Sequence, residues 1–176
     1  MQSRTRVTFL LLFLVFRTTF LLADNPEDAV GFWKTVDRGK GFTTSVIAVY
    51  IRGDCLEGRI IVSYDEHTGA FIETFHAPLQ RVSKLKDNPY LLGINLFWGL
   101  KRSEDRWVGG KVFDPRSGNT FRCEVWVEKG VLILRGQVGP FGLNNRFYTA
   151  LEEDFPPGFV RPDLAGAELE SIVPGT

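Results

Sequence analysis

The chain is poor in the residues that build most catalytic and metal centres. It has two cysteines, two histidines and one methionine in 176 residues. Two cysteines cannot form a framework of several disulfides, and with two histidines they do not supply a four-ligand zinc cluster at the usual spacings. His67 and His76 stand nine residues apart, without the further ligands at defined spacing that a metal site needs, so no metal or cofactor is expected. Net charge is also absent: 21 bases meet 21 acids, with no clustered basic footprint for nucleic acid. No Ser or Cys nucleophile is paired with a neighbouring base by the pattern. Glu57, Glu73 and Glu124 read as solvated or paired strand residues rather than an acid/base couple, and the chain is not expected to be an enzyme.

What is present begins with an export pattern. Arg4 and Arg6 precede an apolar run from Val7, and Leu21-Leu22-Ala23 leads to Asp24, where polarity returns. A charged start, an apolar centre and a small residue at the cut are the order of a signal peptide. The run from Val7 to Leu22 spans 16 residues and contains Arg17, short of the ~20 apolar residues of a permanent span. Residues 1–23 are therefore read as a signal peptide, with an uncleaved anchor as the alternative. The expected location is the periplasm or cell envelope, or secretion. Cleavage takes three of the 21 bases and leaves 18 against 21 acids. Residues 24–151 carry 17 bases and 15 acids, and 152–176 carry six acids against Arg161. A nearly neutral body is followed by an acidic, Pro-containing tail, expected to be extended or disordered.

The body reads as all-β. Gly is 18 of 176 and aromatics 13%, the composition of a turn-rich folded chain. Strands are expected at 31–37, 43–51, 56–64, 92–100, 107–113, 120–127, 131–139 and 145–151. Most are joined by hairpin-length links such as Arg52-Gly53-Asp54. No strand–helix–strand rhythm appears, which argues against a parallel sheet. Eight short antiparallel strands must hide their edges, and a closed barrel does so; a two-sheet sandwich is the alternative. The long connection from Asp65 to Leu91 is either a lid or a plain surface loop. Within it, 70–76 extends as strand and 78–86 suggests a helical turn.

Several side chains carry more specific expectations. Gly109-Gly110 predicts a bulge or close backbone approach, and Asp114-Pro115 with Ser117-Gly118 predicts a turn. Phe121, Cys123, Val125 and Val127 share one strand face, as do Val131, Ile133, Arg135 and Gln137. Arg135 lies among apolar neighbours, where a charge needs a partner or an aromatic face. Both faces of 43–51 are apolar, which leaves their assignment open. Cys55 and Cys123 are either a disulfide, which export would permit, or two free thiols.

In order along the chain come Gly31-Phe32-Trp33, Asp87-Asn88-Pro89-Tyr90-Leu91-Leu92-Gly93, Trp98-Gly99-Leu100, Trp107-Val108-Gly109-Gly110, Phe113-Asp114-Pro115, Ser117-Gly118-Asn119 and Leu134-Arg135-Gly136. This series resembles the uncharacterised exported bacterial proteins of domain-of-unknown-function family 2147, over roughly residues 27–150. The chain departs from that pattern at Asn119, where Lys is usual, at Phe147-Tyr148, where a Trp is usual, and in its tail. The resemblance implies a small eight-stranded lipocalin-like barrel and no known activity. In such barrels a Trp at the position of Trp33 plugs the closed end and an Arg from a late strand, here Arg135 or Arg146, lies across it. Trp33, Trp98, Trp107 and Arg135 are thus the candidate ligand-binding or locking residues. The expected function is non-catalytic binding of a small apolar or amphipathic ligand. The alternative is a structural or protein-interaction module with a filled barrel.

Overall fold

The computed structural model describes residues 25–37, 39–165 and 169–174; the expected signal peptide, residues 1–23, lies outside them. Nine strands form in chain order: β1 (Gly31–Val36), β2 (Thr43–Arg52), β3 (Cys55–Tyr64), β4 (Phe71–Thr74), β5 (Asn95–Ser103), β6 (Arg106–Asp114), β7 (Asn119–Glu128), β8 (Val131–Val138) and β9 (Phe141–Thr149). The sheet runs β2-β1-β9-β8-β7-β6-β5-β3, and β3 pairs back onto β2. Eight strands thus close into an antiparallel barrel, and β4 hangs on the margin of β3. Closure gives each of the eight strands two neighbours and removes most of the sheet edge. The expected eight strands are the eight of the ring. The last begins earlier than expected, at Phe141, because Gly139, at φ 60°, makes the turn with Pro140. No helical turn forms at 78–86: residues 78–82 are irregular apart from an Arg81–Tyr90 bridge, and turns follow at 83–87.

Both faces of β2 are apolar because both are covered. Ile47 and Val49 point into the barrel core, whereas Val46, Ala48 and Tyr50 pack outside against Phe155 and Leu169. The tail is therefore not a loose appendage. After β9 it makes a 3-10 turn at Glu152–Asp154. Phe155 and Phe159 then stack at 5.6 Å, and Asn95 N–H donates to Ile172 O at 2.9 Å. Acidic composition suggested solvation, but the four apolar side chains Phe155, Phe159, Leu164 and Leu169 have an outer sheet face to bury against. A third cluster, Val82, Ile94, Trp98 and Phe113, lies where the connection from β4 to β5 crosses the outside of β5 and β6.

The expected local devices form as follows. The ladder between β6 and β7 shifts register between Trp107 and Gly110. A Cβ on Gly110 would sit 2.3 Å from Leu100 Cγ and 2.7 Å from the Trp98 carbonyl oxygen, so only glycine fits. Asp114 accepts from Arg116 N–H at 3.1 Å and from Ser117 Oγ–H at 2.6 Å, and Gly118 closes that turn at φ 76°.

Candidate binding site

The barrel interior has two unlike halves. Its closed end is plugged. A 3-10 turn at Pro26–Ala29, held by Asn25 accepting from Glu27 N–H and Asp28 accepting from Asn25 N–H, crosses beneath two tryptophans. Trp33 Nε1–H donates to Ala29 O at 2.9 Å, and Trp107 Nε1–H to Pro26 O at 2.8 Å. Both indole donors are thus satisfied while their rings fill the core, the condition under which a buried Trp is cheap. Above them Val127, Leu132, Phe147, Leu56, Phe97 and Leu100 pack into one cluster with Cys123 and Val125. That is the inward face expected for β7.

The open half is different. The inward positions of β9, alternating with buried Phe147, are Phe141, Leu143 and Asn145. Phe141 is 77% and Leu143 65% exposed. β9 pairs with β8 along its length but with β1 only at Trp33↔Thr149 and Lys34↔Tyr148. Residues 141–147 therefore present a strand edge with no ladder partner among the described residues. On the outer face of this seam a groove of about 470 Å³ is lined by Val36, Asn144, Arg146 and Tyr148. A second groove of about 540 Å³ lies outside the barrel, between Phe71, Thr74 and His76 on one side and residues 156–160 of the tail on the other.

The rest of the mouth is tied down. Glu73, 1% exposed, accepts from the Leu79 and Gln80 amides and from Gln80 Nε2–H, and that amide also donates to Ser63 Oγ. This carboxylate fastens the start of the long connection to β3 and β4. Across the mouth Arg116 reaches Glu66 at 2.5 Å, and Lys40 Nζ donates to His67 O at 2.5 Å. The loops on the β3, β4 and β6 side are cross-linked, and the β8–β9 hairpin stands apart.

The candidate residues separate on this framework. Trp33 and Trp107 meet at the closed end. Trp98 points outward and packs with Phe113 under the long connection. Arg135 is corrected from an inward lock to an outer-face residue. Its side chain is 44% exposed, and its Nε lies 3.9 Å from Glu124 Oε1. The physical reason is strand parity: Leu132 and Leu134 turn into the core, so Val131, Ile133, Arg135 and Gln137 form the outer face. Arg146 is likewise outward, alternating with Phe147, and no cation lies over Trp33 among the described residues. Cys55 and Cys123 are free thiols. Burial, with the Glu124 charge adding to it, pushes the Cys123 thiol up to about 12. Among the described residues no group of three His, Cys, Asp or Glu is placed to hold a metal ion.

One polar cluster escaped the sequence reading. Under the tail, Asn95 Nδ2–H donates to Glu57 Oε2 at 2.8 Å, Ser171 Oγ–H to Glu57 Oε1 at 3.0 Å, and Arg59 to Glu170 O. Tyr50 OH donates to Asn95 Oδ1 at 3.3 Å. Burial, reinforced by Glu57 and opposed by Arg59, pushes the Tyr50 phenol up to about 12, and burial lowers the Arg59 guanidinium from its ordinary value. The cluster strings the tail along β3 and β5. Its signal in the sequence was two charges, Glu57 and Arg59, flanking Gly58 inside an otherwise apolar strand.

Comparison with known proteins agrees with this geometry. The family described as "Uncharacterized protein conserved in bacteria (DUF2147)" matches residues 31–148. Among solved structures, a Helicobacter pylori protein described as belonging to the lipocalin family superposes with a TM-score of 0.51 at 16% identity. The match covers 72% of this chain and 85% of that one. No curated protein matches.

Proposed function

From the chain's membership of the uncharacterised bacterial family DUF2147 and its lipocalin-like barrel, we propose that it binds a small apolar or amphipathic ligand at the open half of the barrel. The observation that carries this reading is the exposure of Phe141 and Leu143 on inward positions, beside a strand edge that β1 leaves unpaired. Two large apolar side chains facing a barrel lumen are a binding surface in want of an occupant. Covering both is worth on the order of 3–4 kcal/mol, close to a millimolar contribution. The ligand sits at the mouth rather than deep inside, because the closed half is already filled. The apolar run and small-residue cut before Asp24 support export to the envelope, with residues 1–23 removed.

Native mass spectrometry of the purified protein, before and after incubation with a lipid extract, tests the proposal. A bound mass that disappears in Leu143→Asp is the expected result; no bound mass, or binding indifferent to that substitution, refutes it. A second reading, an envelope interaction module with a filled barrel, draws on the packing of the closed half. Cross-linking in whole cells that captures a protein partner, from a sample without bound lipid, would decide for it.

A further inference from the structure

The outside of the barrel is divided into covered and bare walls. The tail covers β2 and β3, and the long connection covers part of β5 and β6. Among the described residues neither the tail nor the long connection covers the wall from β7 to β9, and the open-end half of the wall from β6 to β9 is basic. The ladders align Lys111 with Arg122, Arg122 with Gln137, and Gln137 with Gly142; the next row aligns Glu124 with Arg135 and Arg135 with Asn144; Arg146 follows opposite Ile133. Lys111, Arg122, Arg135 and Arg146 are all exposed and share this wall with one acid, Glu124. Toward the closed end Glu128 and Asp105 restore the balance.

Two features separate this wall from an ordinary solvated face. Lys111 and Arg122 stand directly opposite each other, and neither makes an ion pair among the described residues. Like charges directly across a ladder cost stability, and the fold keeps them without an acid between. The same rows end at the β8–β9 hairpin, whose tip carries exposed Phe141 and Leu143. There Arg135 lies flat across Gly142, where a Cβ would meet its Nε at 2.1 Å. Four strands at ~4.8 Å spacing make a basic band roughly 15 Å wide beside an apolar tip.

We propose that this wall docks the protein on an anionic lipid bilayer: Lys111, Arg122, Arg135 and Arg146 face the headgroups, and the Phe141–Leu143 tip enters the interface. Lipid headgroups suit the arrangement because the cations line the outer face of the wall and the same wall ends in the exposed apolar hairpin tip, so both reach one interface, the pairing that interfacial binding requires. Each cation near an anionic bilayer strengthens association roughly fivefold. The basic wall does not depend on an occupant of the barrel, since Lys111 and Arg122 point away from the interior; only the apolar tip is shared with the proposed ligand site.

The test is sedimentation of the full chain with vesicles of phosphatidylcholine alone and of phosphatidylcholine with phosphatidylglycerol, together with hydrogen exchange on the bound protein. Hydrogen exchange separates this wall from any insertion of the apolar residues 7–22. The expected result is binding to the anionic vesicles that weakens at high salt, with protection gained in residues 136–146. The variant Lys111→Gln/Arg122→Gln should bind roughly 25-fold more weakly while ligand uptake in the mass-spectrometric assay is unchanged. Arg122→Glu sets a carboxylate across from Lys111, keeps the fold by an opposite-charge pair, and should also reduce binding. Equal binding to both vesicle types, full binding by the variants, protection elsewhere than the hairpin, or binding of heparin but not of vesicles overturns the proposal.

Discussion

Gly58 offers the sharpest test of how solid the barrel is. It lies opposite Phe97 across the β3–β5 ladder, and both are buried in the centre of the interior. A Cβ at this position would stand 2.3, 2.4 and 2.9 Å from Cζ, Cε1 and Cε2 of the Phe97 ring. Ordinary contact begins near 3.4 Å, so in Gly58→Ala the ring must retreat by about 1 Å into Leu56, Leu100 and their neighbours. Overpacking of this kind costs about 1–3 kcal/mol. The backbone of Gly58 has ordinary φ, so alanine also restricts the unfolded chain and returns about 0.4–1 kcal/mol. The net expectation is a loss of about 1–2 kcal/mol, read as a fall of roughly 0.5–1 M in the urea midpoint at unchanged slope. Phe97→Leu should cost a similar amount by leaving a void. In the double variant the new methyl group occupies that void, so the pair should fall short of additivity by at least about 1 kcal/mol. If Gly58→Ala is neutral, or the double variant is additive, the ring has room to move. The middle of the barrel would then be a ligand space and not a packed core.

Two further outcomes follow from the described contacts. Asp154 is buried, which raises its carboxyl, yet Lys34 Nζ at 2.8 Å, Thr43 Oγ1 at 2.6 Å and the Leu151 amide at 2.8 Å together hold it below its ordinary value of 3.8. A carboxyl lowered by folding contributes stability above its unfolded value and loses it as pH falls through the folded one. Asp154→Asn should therefore cost about 1–3 kcal/mol at neutral pH and flatten the acid limb of the stability profile below about pH 4, measured by denaturant titrations at stepped pH. Trp33→Ala should cost about 3–5 kcal/mol, whereas Arg135→Leu should stay within ~0.5 kcal/mol; equal losses in thermal unfolding would restore the inward lock that the strand parity of β8 denies.

Much of the fold was legible because its causes are local. Turn chemistry at Asp114–Gly118, the glycines of the β6 bulge and the alternation of β7 each depend on residues close in the chain, and each appears where the sequence places it. The eight strands follow from counting turn-bounded runs, and the pairing of β3 back onto β2 makes them a ring rather than a sandwich. Parity in β8 was not legible, because Val131–Leu134 is apolar on both faces and Arg135 alone suggested a direction. Only the ladder partners Val127 on β7 and Phe147 on β9, both turned into the core, place Leu132 and with it Leu134 inward. Trp98 and Trp107 read alike in the sequence, yet the shifted register at Gly109-Gly110 and the cover over β5 send one outward and the other to the plug.

The sequence by itself therefore determined eight antiparallel strands and their turns, since period-2 alternation and turn residues act over a few positions; the closed barrel with a tryptophan at its base was what the family resemblance implied. Three matters needed the tertiary structure: which walls are covered, where the interior is left open, and where the basic residues converge. The tail and the long connection bury faces contributed by strands distant in sequence. The seam between β1 and β9 joins the two ends of the barrel. The group Lys111, Arg122, Arg135 and Arg146 exists only once four strands stand side by side. A composition of 21 bases and 21 acids showed no surplus; the fold sorts it into an acid-rich tail against one wall and a basic wall opposite solvent, because hydrogen-bonded register sets neighbours that spacing along the chain does not.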